Sequence, residues 1–345
     1  MDKKRKGNKD ELAAALRPAG AYLDSLSGFA DLLGTIEQAD AAAKELLVEM
    51  DSAEKPSGKP AKTETQAEEA PPPDIDELMA RLNALVGLDK IKSTVASLIN
   101  FVKVRKLREE TGLPNAPVSL HMVFMGNPGT GKTTVARILA ELFRAIGVLS
   151  KGQLVEVDRG GLVAGFVGQT AIKTDEVVKS ALGGILFIDE AYALVPGDGG
   201  NDFGREAIET LLKLMEDNRD ELVVIVAGYN ELMERFISSN PGLESRFNRY
   251  FVFEDYNSDE LAAIFRSMCD KSEYQLDEDA AALAKAHFAE LYEMRDENFG
   301  NARDIRNFFE NLVTVHSDRV SAADSHTREE LTRVIREDVE KAVEM

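Results

Sequence analysis

The stretch that decides the fold reads Gly126-Asn127-Pro128-Gly129-Thr130-Gly131-Lys132-Thr133. It follows an apolar run, Leu120 to Met125, that is typical of a buried strand, and a helical pattern continues from Lys132 to Ile146. Glycines in such a turn let backbone N–H groups face a phosphate, and the helix N-terminus adds a positive dipole end. An ordinary glycine-rich turn is disfavoured because spacing and context agree. We therefore predict a phosphate-binding loop. Its predicted nucleotide-binding residues are Gly126, Asn127, Pro128, Gly129, Thr130, Gly131, Lys132, Thr133 and Thr134.

A second apolar run, Gly184 to Ile188, ends in Asp189 and Glu190. The carboxyl ends of parallel strands meet at the sheet edge where ligands bind, so both acids are expected beside the phosphates. Asp189 and the Thr133 hydroxyl are the predicted Mg²⁺ ligands, and Lys132 is expected to reach the β- and γ-phosphates. Glu190 is expected to orient and deprotonate the attacking water. Two acids after a strand are weak evidence alone, but after a phosphate loop they predict hydrolysis of ATP with Mg²⁺.

Strand and helix patterns alternate across the centre of the chain. Because this alternation is typical of a covered parallel sheet, we predict an α/β fold, a P-loop parallel sheet with helices on both faces, over 75–255. The other predicted strands are Leu154 to Val157, Leu222 to Ala227 and the shorter Tyr250 to Phe253. The predicted helices include Asp89 to Thr111, Lys173 to Leu182 and Arg205 to Glu216.

No strand pattern follows Tyr256, so 256–345 is predicted to be an all-α lid domain. Asn257 with Glu260, and Thr327 with Glu330, have capping-box spacing. The four predicted helices are Asp259 to Lys271, Glu278 to Met294, Arg303 to Arg319 and Arg328 to Glu344.

The start of the chain has a different character. Apolar residues recur at helical spacing between Glu11 and Met50, which predicts a small N-terminal helical segment over 1–51. It could pack on the main body, self-associate or dock a partner. The stretch 52–74 is rich in Pro, Lys, Glu, Thr and Ala without apolar periodicity, so a disordered linker is predicted there.

Composition excludes several classes of protein. The 345 residues are 44% hydrophobic and 30% charged, typical of a globular protein, and no stretch is apolar for long enough to span a bilayer or to act as a signal. We expect a cytoplasmic protein that binds no membrane. One cysteine and four histidines without metal-ligand spacing argue against a disulfide or a zinc site. The net charge of −20 argues against nucleic acid as a partner, and the basic Lys3 to Lys6 is read as a solvated tail.

Together, the loop from Asn127 to Thr133 and the segment Phe187-Ile188-Asp189-Glu190-Ala191-Tyr192 resemble the AAA+ ATPases. More narrowly, they resemble the branch that contains red-type Rubisco activase, sporulation stage V protein K and the ATPase of type VII secretion. The resemblance covers about Leu85 to Leu312. It implies Mg²⁺-dependent ATP hydrolysis by a homo-oligomer, expected to be a hexamer, that acts on a protein client.

The resemblance implies further nucleotide contacts. Val86-Gly87-Leu88 is similar to the segment that packs around the adenine, although a simple turn between helices has the same pattern. Asn230 matches the first sensor, which places the water near the γ-phosphate, but Gly228-Tyr229 before it departs from the family pattern. Arg303, in Gly300-Asn301-Ala302-Arg303, matches the second sensor, which reaches from the lid to the γ-phosphate. Arg306 is expected to be an interface or packing residue.

Two arginines in Ser245-Arg246-Phe247-Asn248-Arg249 resemble the arginine-finger segment. In the family such a finger contacts the γ-phosphate held by a neighbouring subunit, where a planar cation offsets transition-state charge. Arg246 is the preferred finger, and Arg249 is the second candidate or a structural residue. The alternative is two surface arginines near a strand start, which are common in α/β proteins.

Phe166, Val167 and Gly168, preceded by Gly165, resemble the aromatic pore loop of threading motors. An exposed aromatic side chain between glycines can grip an extended chain by apolar contact. The alternative is that Phe166 packs into the core. The glycine-rich Pro196 to Gly204 is predicted to be a second pore-side loop.

Two functions of different class fit these patterns. In the first, a ring of ATPase subunits grips a protein client with Phe166 and remodels it. In the second, ATP controls the assembly of a switch or scaffold, and the N-terminal helices recruit a partner without threading. A DNA-handling protein is a distant third because of the acidic charge.

Overall fold

The structure is a computed structural model that describes residues 74–116, 118–166, 168–195, 203–296, 299–322 and 327–345. The predicted N-terminal helical segment and the predicted linker up to residue 73 lie outside the described residues. Val167 of the predicted pore loop also lies outside the described residues. The same holds for 196–202 of the predicted second pore-side loop.

A five-stranded parallel sheet forms the centre of the described chain, with the strand order β2-β3-β4-β1-β5. The predicted parallel sheet is thus confirmed. The prediction for β1 begins two residues early, and that for β5 is displaced by one residue. The strands are β1 (Met122–Met125), β2 (Leu154–Val157), β3 (Gly184–Ile188), β4 (Leu222–Gly228) and β5 (Arg249–Val252).

Both faces of the sheet are covered. Alternate residues of a strand point to opposite faces, so Val223 and Ile225 of β4 join one core while Val224 and Val226 join the other. The first core is closed by α1 (Ile75–Asn83), α2 (Asp89–Glu110) and α3 (Lys132–Ile146). The second is closed by α4 (Arg159–Leu162), α5 (Gln169–Ala181), α6 (Gly204–Asp217), α7 (Asn230–Ser238) and α8 (Pro241–Arg246).

The C-terminal part has its own apolar core, in which the ring of Phe265 packs against those of Phe288 and Phe308. Both predicted capping boxes are present, one at each predicted N-cap. This lid is built from α9 (Ser258–Lys271), α10 (Glu278–Glu293), α11 (Ala302–Ser321), α12 (Arg328–Thr332) and α13 (Arg336–Val343).

The prediction that no strand follows Tyr256 is wrong. A two-stranded parallel ladder pairs β6 (Gln275–Leu276) with β7 (Arg333–Val334) and divides the predicted last helix into α12 and α13. Val334 is fully buried, and Arg333 donates to Asp277 at 2.9 Å beside β6. β-branched residues favour extended backbone, so this burial and pairing outweigh the helical pattern around them.

No helix within the described ranges is long and apolar enough to cross a membrane.

Candidate active site

A cavity of about 560 Å³ lies between the phosphate loop, the carboxyl ends of β3 and β4, and the lid. Residues that are distant in sequence meet there because parallel strands end at one edge of the sheet. Predicted site residues in its lining are Val86, Leu88, Gly126, Pro128, Gly129, Gly131, Lys132, Thr133, Thr134, Asp189, Glu190 and Arg303. Additional lining residues include Ala84, Leu85, Gly228, Tyr229, Tyr256, Ile264, Met268, Lys271 and Arg306.

The phosphate loop is closed by backbone that favours glycine. Gly129 and Gly131 have φ values of +72° and +93°, and Gly131 immediately precedes α3, so the first N–H groups of that helix face the cavity edge. The Lys132 ammonium donates to the carbonyl oxygens of Gly126 and Asn127, each at 2.8 Å. Burial lowers the pKa of Lys132 to about 8, against the opposing effect of the Asp189 carboxylate. A desolvated cation at this position attracts a polyphosphate strongly.

Asp189 and Glu190 project from the end of β3 as predicted. Glu190 has a φ of +48°, in the left-handed region, and its N–H donates to the Asp189 carboxylate at 3.0 Å. This turn separates the two acids, so that they face different parts of the cavity edge. A left-handed conformation is costly for a glutamate and is typical of functional turns.

Tyr192 and Tyr229 form an aromatic pair beside Glu190, with ring centroids 6.1 Å apart. Burial is the main reason that the pKa of Tyr192 rises to about 12, and the nearby Glu190 carboxylate raises it further. A Cβ atom on Gly228 would lie 2.7 Å from the Tyr192 ring, so this position requires glycine. The two residues that depart from the family pattern, Gly228 and Tyr229, therefore shape the surroundings of Glu190.

Asn230, the predicted first sensor, is exposed at the start of α7 and is not among the lining residues, whereas Tyr229 before it is. The sensor role of Asn230 stays a prediction. The position of Tyr229 could have been predicted from the sequence. It directly follows the buried strand β4, and residues at the carboxyl ends of parallel strands lie where ligands bind.

On the opposite side, the cavity is apolar. Val86 and Leu88 lie there with Tyr256, Ile264 and Met268 of the lid. Gly87 does not line the cavity, but its φ of +59° turns the chain between its two neighbours. Apolar walls on both sides suit a flat heterocycle, which extends the predicted adenine segment with three lid residues. The interpretation of Val86-Gly87-Leu88 as the adenine segment stays a prediction.

Other predicted loop residues hold the loop together instead of lining the cavity. Thr130 is fully buried and its hydroxyl donates to the Asn127 carbonyl at 2.8 Å, while the Asn127 amide donates to Asp255 at 3.0 Å. Arg306, expected to be an interface or packing residue, lines the cavity one turn after Arg303.

Both candidate arginine fingers lie away from the cavity lining. Arg246, at the end of α8, is partly buried, and its guanidinium is 3.2 Å from Glu216. Within the described part of the chain, its Nε atom is buried without a hydrogen-bond partner. Arg249 lies with its guanidinium 5.0 Å from the centre of the Phe101 ring and donates to the Ser119 carbonyl at 3.1 Å, which ties α2 to β5.

The predicted pore loop lies between α4 and α5. Phe166 is 72% exposed, so the alternative that it packs into the core is wrong. A Cβ atom on Gly165 or Gly168 would meet nothing within 4 Å, so the described part of this loop stands clear of the body.

Comparison with known proteins identifies the family. The profile described as "ATPase family associated with various cellular activities (AAA)" matches residues 122–255, and that of the "AAA lid domain" matches 257–345. Stage V sporulation protein K of Bacillus subtilis (strain 168) is 41% identical over 266 residues, covering 77% of this chain and 82% of that protein. The chain belongs to the AAA family of ATPases.

One further relative places this AAA ATPase more closely. The chloroplastic ribulose bisphosphate carboxylase/oxygenase activase of Cyanidioschyzon merolae is 40% identical over 271 residues, covering 78% of this chain and 92% of that protein. The predicted red-type branch is thereby confirmed. A solved RuvB mutant of Thermotoga maritima has a TM-score of 0.52 at 18% identity, covering 76% of this chain and 71% of that chain, and supports the fold alone.

As an AAA ATPase, the chain uses ATP with Mg²⁺, and the cavity fits both. Its volume lies within the ~300–1,000 Å³ usual for small-molecule sites. No group of three or more His, Cys, Asp or Glu side chains in the described ranges could hold a metal by itself. Thr133 and Asp189 instead offer the few hard oxygens that Mg²⁺ uses when phosphates complete its shell. The bound ion would neutralise charge on the phosphates.

Proposed function

We propose that this chain assembles into a cytoplasmic homo-oligomeric ring, a hexamer, in which ATP hydrolysis remodels a protein client that Phe166 grips. The observation that carries the proposal is the exposed Phe166 side chain, 72% accessible at the tip of an otherwise anchored loop. An exposed aromatic side chain on a glycine-flanked loop can grip an extended chain by apolar contact, which supports this role for Phe166.

The base of that loop is fixed while its tip is free. The Ala164 N–H donates to the Thr170 hydroxyl at 3.1 Å, and the Thr174 hydroxyl donates to the Leu162 carbonyl at 3.1 Å. Both threonines are fully buried on α5, which packs against β3, the strand that precedes Asp189 and Glu190. A rigid base with a free aromatic tip supports transfer of motion from the ATP site to a client.

The placement of the side chains supports the proposed hydrolytic roles. Glu190 accepts the proton of the attacking water, and the neighbouring Tyr192 hydroxyl interacts with the Glu190 carboxylate. Lys132 and Arg303 supply positive charge from the loop and from the lid. Replacing Glu190 with Gln is therefore expected to preserve ATP binding and to stop hydrolysis.

Arg246 is proposed to act on the nucleotide of a neighbouring subunit. Its ion pair with Glu216 is largely exposed on the glutamate side, and such surface pairs contribute only about 0–1 kcal/mol. The guanidinium can therefore exchange this partner for a phosphate at little cost. In GTPases a finger supplied in trans raises the rate by about 10³–10⁵.

The client contact is tested with Phe166→Ala. We expect ATP hydrolysis to persist and client remodelling to be lost. Met294→Ala is the matched control, because Met294 is 78% exposed at the end of α10, outside the loop. Remodelling that survives Phe166→Ala would remove the pore proposal and favour the alternative switch or scaffold.

Assembly is tested with Arg246→Ala. ATPase activity per subunit is expected to rise with protein concentration in the unchanged chain and to stay low in Arg246→Ala at every concentration. Arg235→Ala is the control, since Arg235 is an exposed arginine 3.9 Å from Glu231 on α7. A rate per subunit that is independent of concentration and insensitive to Arg246→Ala would contradict action in trans.

The identity of the client is tested by a pull-down. A Glu190→Gln chain is expected to hold ATP and client together, so a pull-down identifies the bound protein. One relative is named as an activase of ribulose bisphosphate carboxylase/oxygenase, which makes a folded enzyme one class to test.

We propose that Glu11 to Met50 selects the client, and a chain starting at Ile75 with full function would contradict this.

A further inference from the structure

Asp255 lies in the connection that joins the sheet to the lid, between the end of β5 and the start of α9. Its carboxylate accepts two hydrogen bonds from the Asn127 amide of the phosphate loop, at 3.0 and 3.1 Å. It accepts another from the Asn301 amide of the lid, at 2.7 Å. One carboxylate thus bridges the nucleotide-binding loop and the lid.

Asn301 is unusual in two respects. It is fully buried, and its φ of +52° is rare for a residue with a side chain. Its side-chain oxygen accepts from the Tyr256 N–H at 2.9 Å, and its amide also donates to the Pro128 carbonyl at 3.3 Å. These bonds hold the strained backbone in place directly before α11.

The strained turn places the start of α11 against the phosphate loop. The Ala302 N–H donates to the Gly129 carbonyl at 3.3 Å, and a Cβ atom on Gly129 would lie 2.7 Å from the Arg303 nitrogen. The backbone of Arg303 is therefore in contact with the loop, and the position of its side chain depends on the same contact.

We propose that Asp255 is a positioning residue that, through Asn127 and Asn301, latches the first turn of α11 to the phosphate loop and so sets the reach of Arg303 toward the γ-phosphate. The inference rests on the proposed role of Arg303. The latch makes the loop and the lid arginine move as one unit. When it opens, the cavity keeps its nucleotide-binding walls but loses the lid cation.

The latch is tested by a double-mutant cycle. Arg303→Ala is made in three backgrounds: the unchanged chain, Asp255→Ala and Asn301→Gly. Asp255→Ala removes the carboxylate that accepts from the amides of Asn127 and Asn301. Asn301→Gly removes the bridging amide and relieves the backbone strain, so it protects against failure to fold.

We expect Arg303→Ala to lower kcat by about tenfold or more in the unchanged chain, and by less than about twofold in Asp255→Ala and in Asn301→Gly. The affinity for ADP, measured with a fluorescent analogue, should stay within about twofold in all of them, because ADP lacks the γ-phosphate. If Asp255 had only a structural role, its loss would instead change the binding of both ATP and ADP and leave the effect of Arg303→Ala intact.

Asn257→Ala is the matched control. Asn257 lies in the same connection and its side chain accepts from the Asp259 and Glu260 N–H groups at 3.0 Å, but it caps α9 and does not reach the loop. Arg303→Ala should cost as much in this background as in the unchanged chain.

Two results overturn the proposal in distinguishable ways. If Arg303→Ala lowers kcat equally in every background, the latch is wrong while the role of Arg303 stands. If Arg303→Ala leaves kcat unchanged in the unchanged chain, the proposed role of Arg303 fails and the latch fails with it.

Discussion

Substitution of Gly129 by alanine isolates the contact between the phosphate loop and the lid. A Cβ atom at Gly129 would lie 2.0 Å from the Gly300 carbonyl oxygen and 2.7 Å from the Arg303 nitrogen, and neither backbone atom can rotate away. Gly112 provides the control, because its φ is also +72° while a Cβ atom there meets nothing within 4 Å. The two variants share the conformational cost. They differ in the clash and in that Gly129, unlike Gly112, lines the nucleotide cavity.

The expected magnitudes follow from these distances. A side chain in the left-handed region costs roughly 1–2 kcal/mol, so both variants should lose a similar part of their stability from this cause. In Gly129→Ala the lid must also withdraw by about 1 Å, and a misplacement of that size costs on the order of 100-fold in rate. Gly112→Ala should retain its full rate.

The assay measures kcat for ATP hydrolysis together with the thermal unfolding midpoint of each variant. We expect kcat to fall only in Gly129→Ala, with an unfolding midpoint below that of Gly112→Ala. Equal rates and equal midpoints would mean that the loop and the lid are not in contact, and the reasoning on lid coupling would be refuted.

Further predictions concern the site and the core. The folded-state pKa of Lys132, about 8, lies below its ordinary 10.5, so between these pH values the folded chain holds fewer protons than the unfolded chain and the contribution of Lys132 to stability rises with pH. The negative charge of bound ATP raises the pKa of Lys132 again, so binding returns a proton to its amine. ATP affinity should therefore fall above pH 8 by up to about tenfold per pH unit. Calorimetry at pH 9 in two buffers should detect proton uptake that Lys132→Met abolishes, and its absence would contradict the burial of this cation. Tyr192→Phe should lower kcat by roughly 3–10-fold without raising KM, because only the polar interaction between its hydroxyl and the Glu190 carboxylate is lost; a higher KM at constant kcat would refute this. Phe124→Ala should lower the free energy of unfolding by about 3–5 kcal/mol in urea titrations, because the Phe124 ring packs against Phe251 and Phe253 with centroids 5.1 and 5.0 Å apart; a loss below ~1 kcal/mol would disprove tight packing there.

The sheet and the phosphate loop could be predicted because their signals are local. Residues of β3 and β4 are buried on both faces, so each strand appears in the sequence as an unbroken apolar run. β5 is an edge strand with exposed Tyr250 and Val252, so its apolar run is weaker and the predicted boundaries were displaced.

Contacts that depend on the tertiary structure were not predicted. The β6–β7 ladder joins two-residue segments that are far apart in sequence, and two residues are too few to give a periodic pattern. Ile264 and Met268 look like core positions of a lid helix, yet they line the cavity. The bridge made by Asp255 joins three distant segments, and no single segment carries its signal.

Leu88 packs against the core of the sheet and also against the core of the lid, in a left-handed conformation at the start of α2. Because its side chain packs against both cores, a rotation of the lid must change the packing of Leu88 against at least one of them. The same side chain lines the nucleotide cavity. If Leu88 contacts the adenine as predicted, we expect any rotation of the lid to change that contact, so that lid rotation and nucleotide release are coupled.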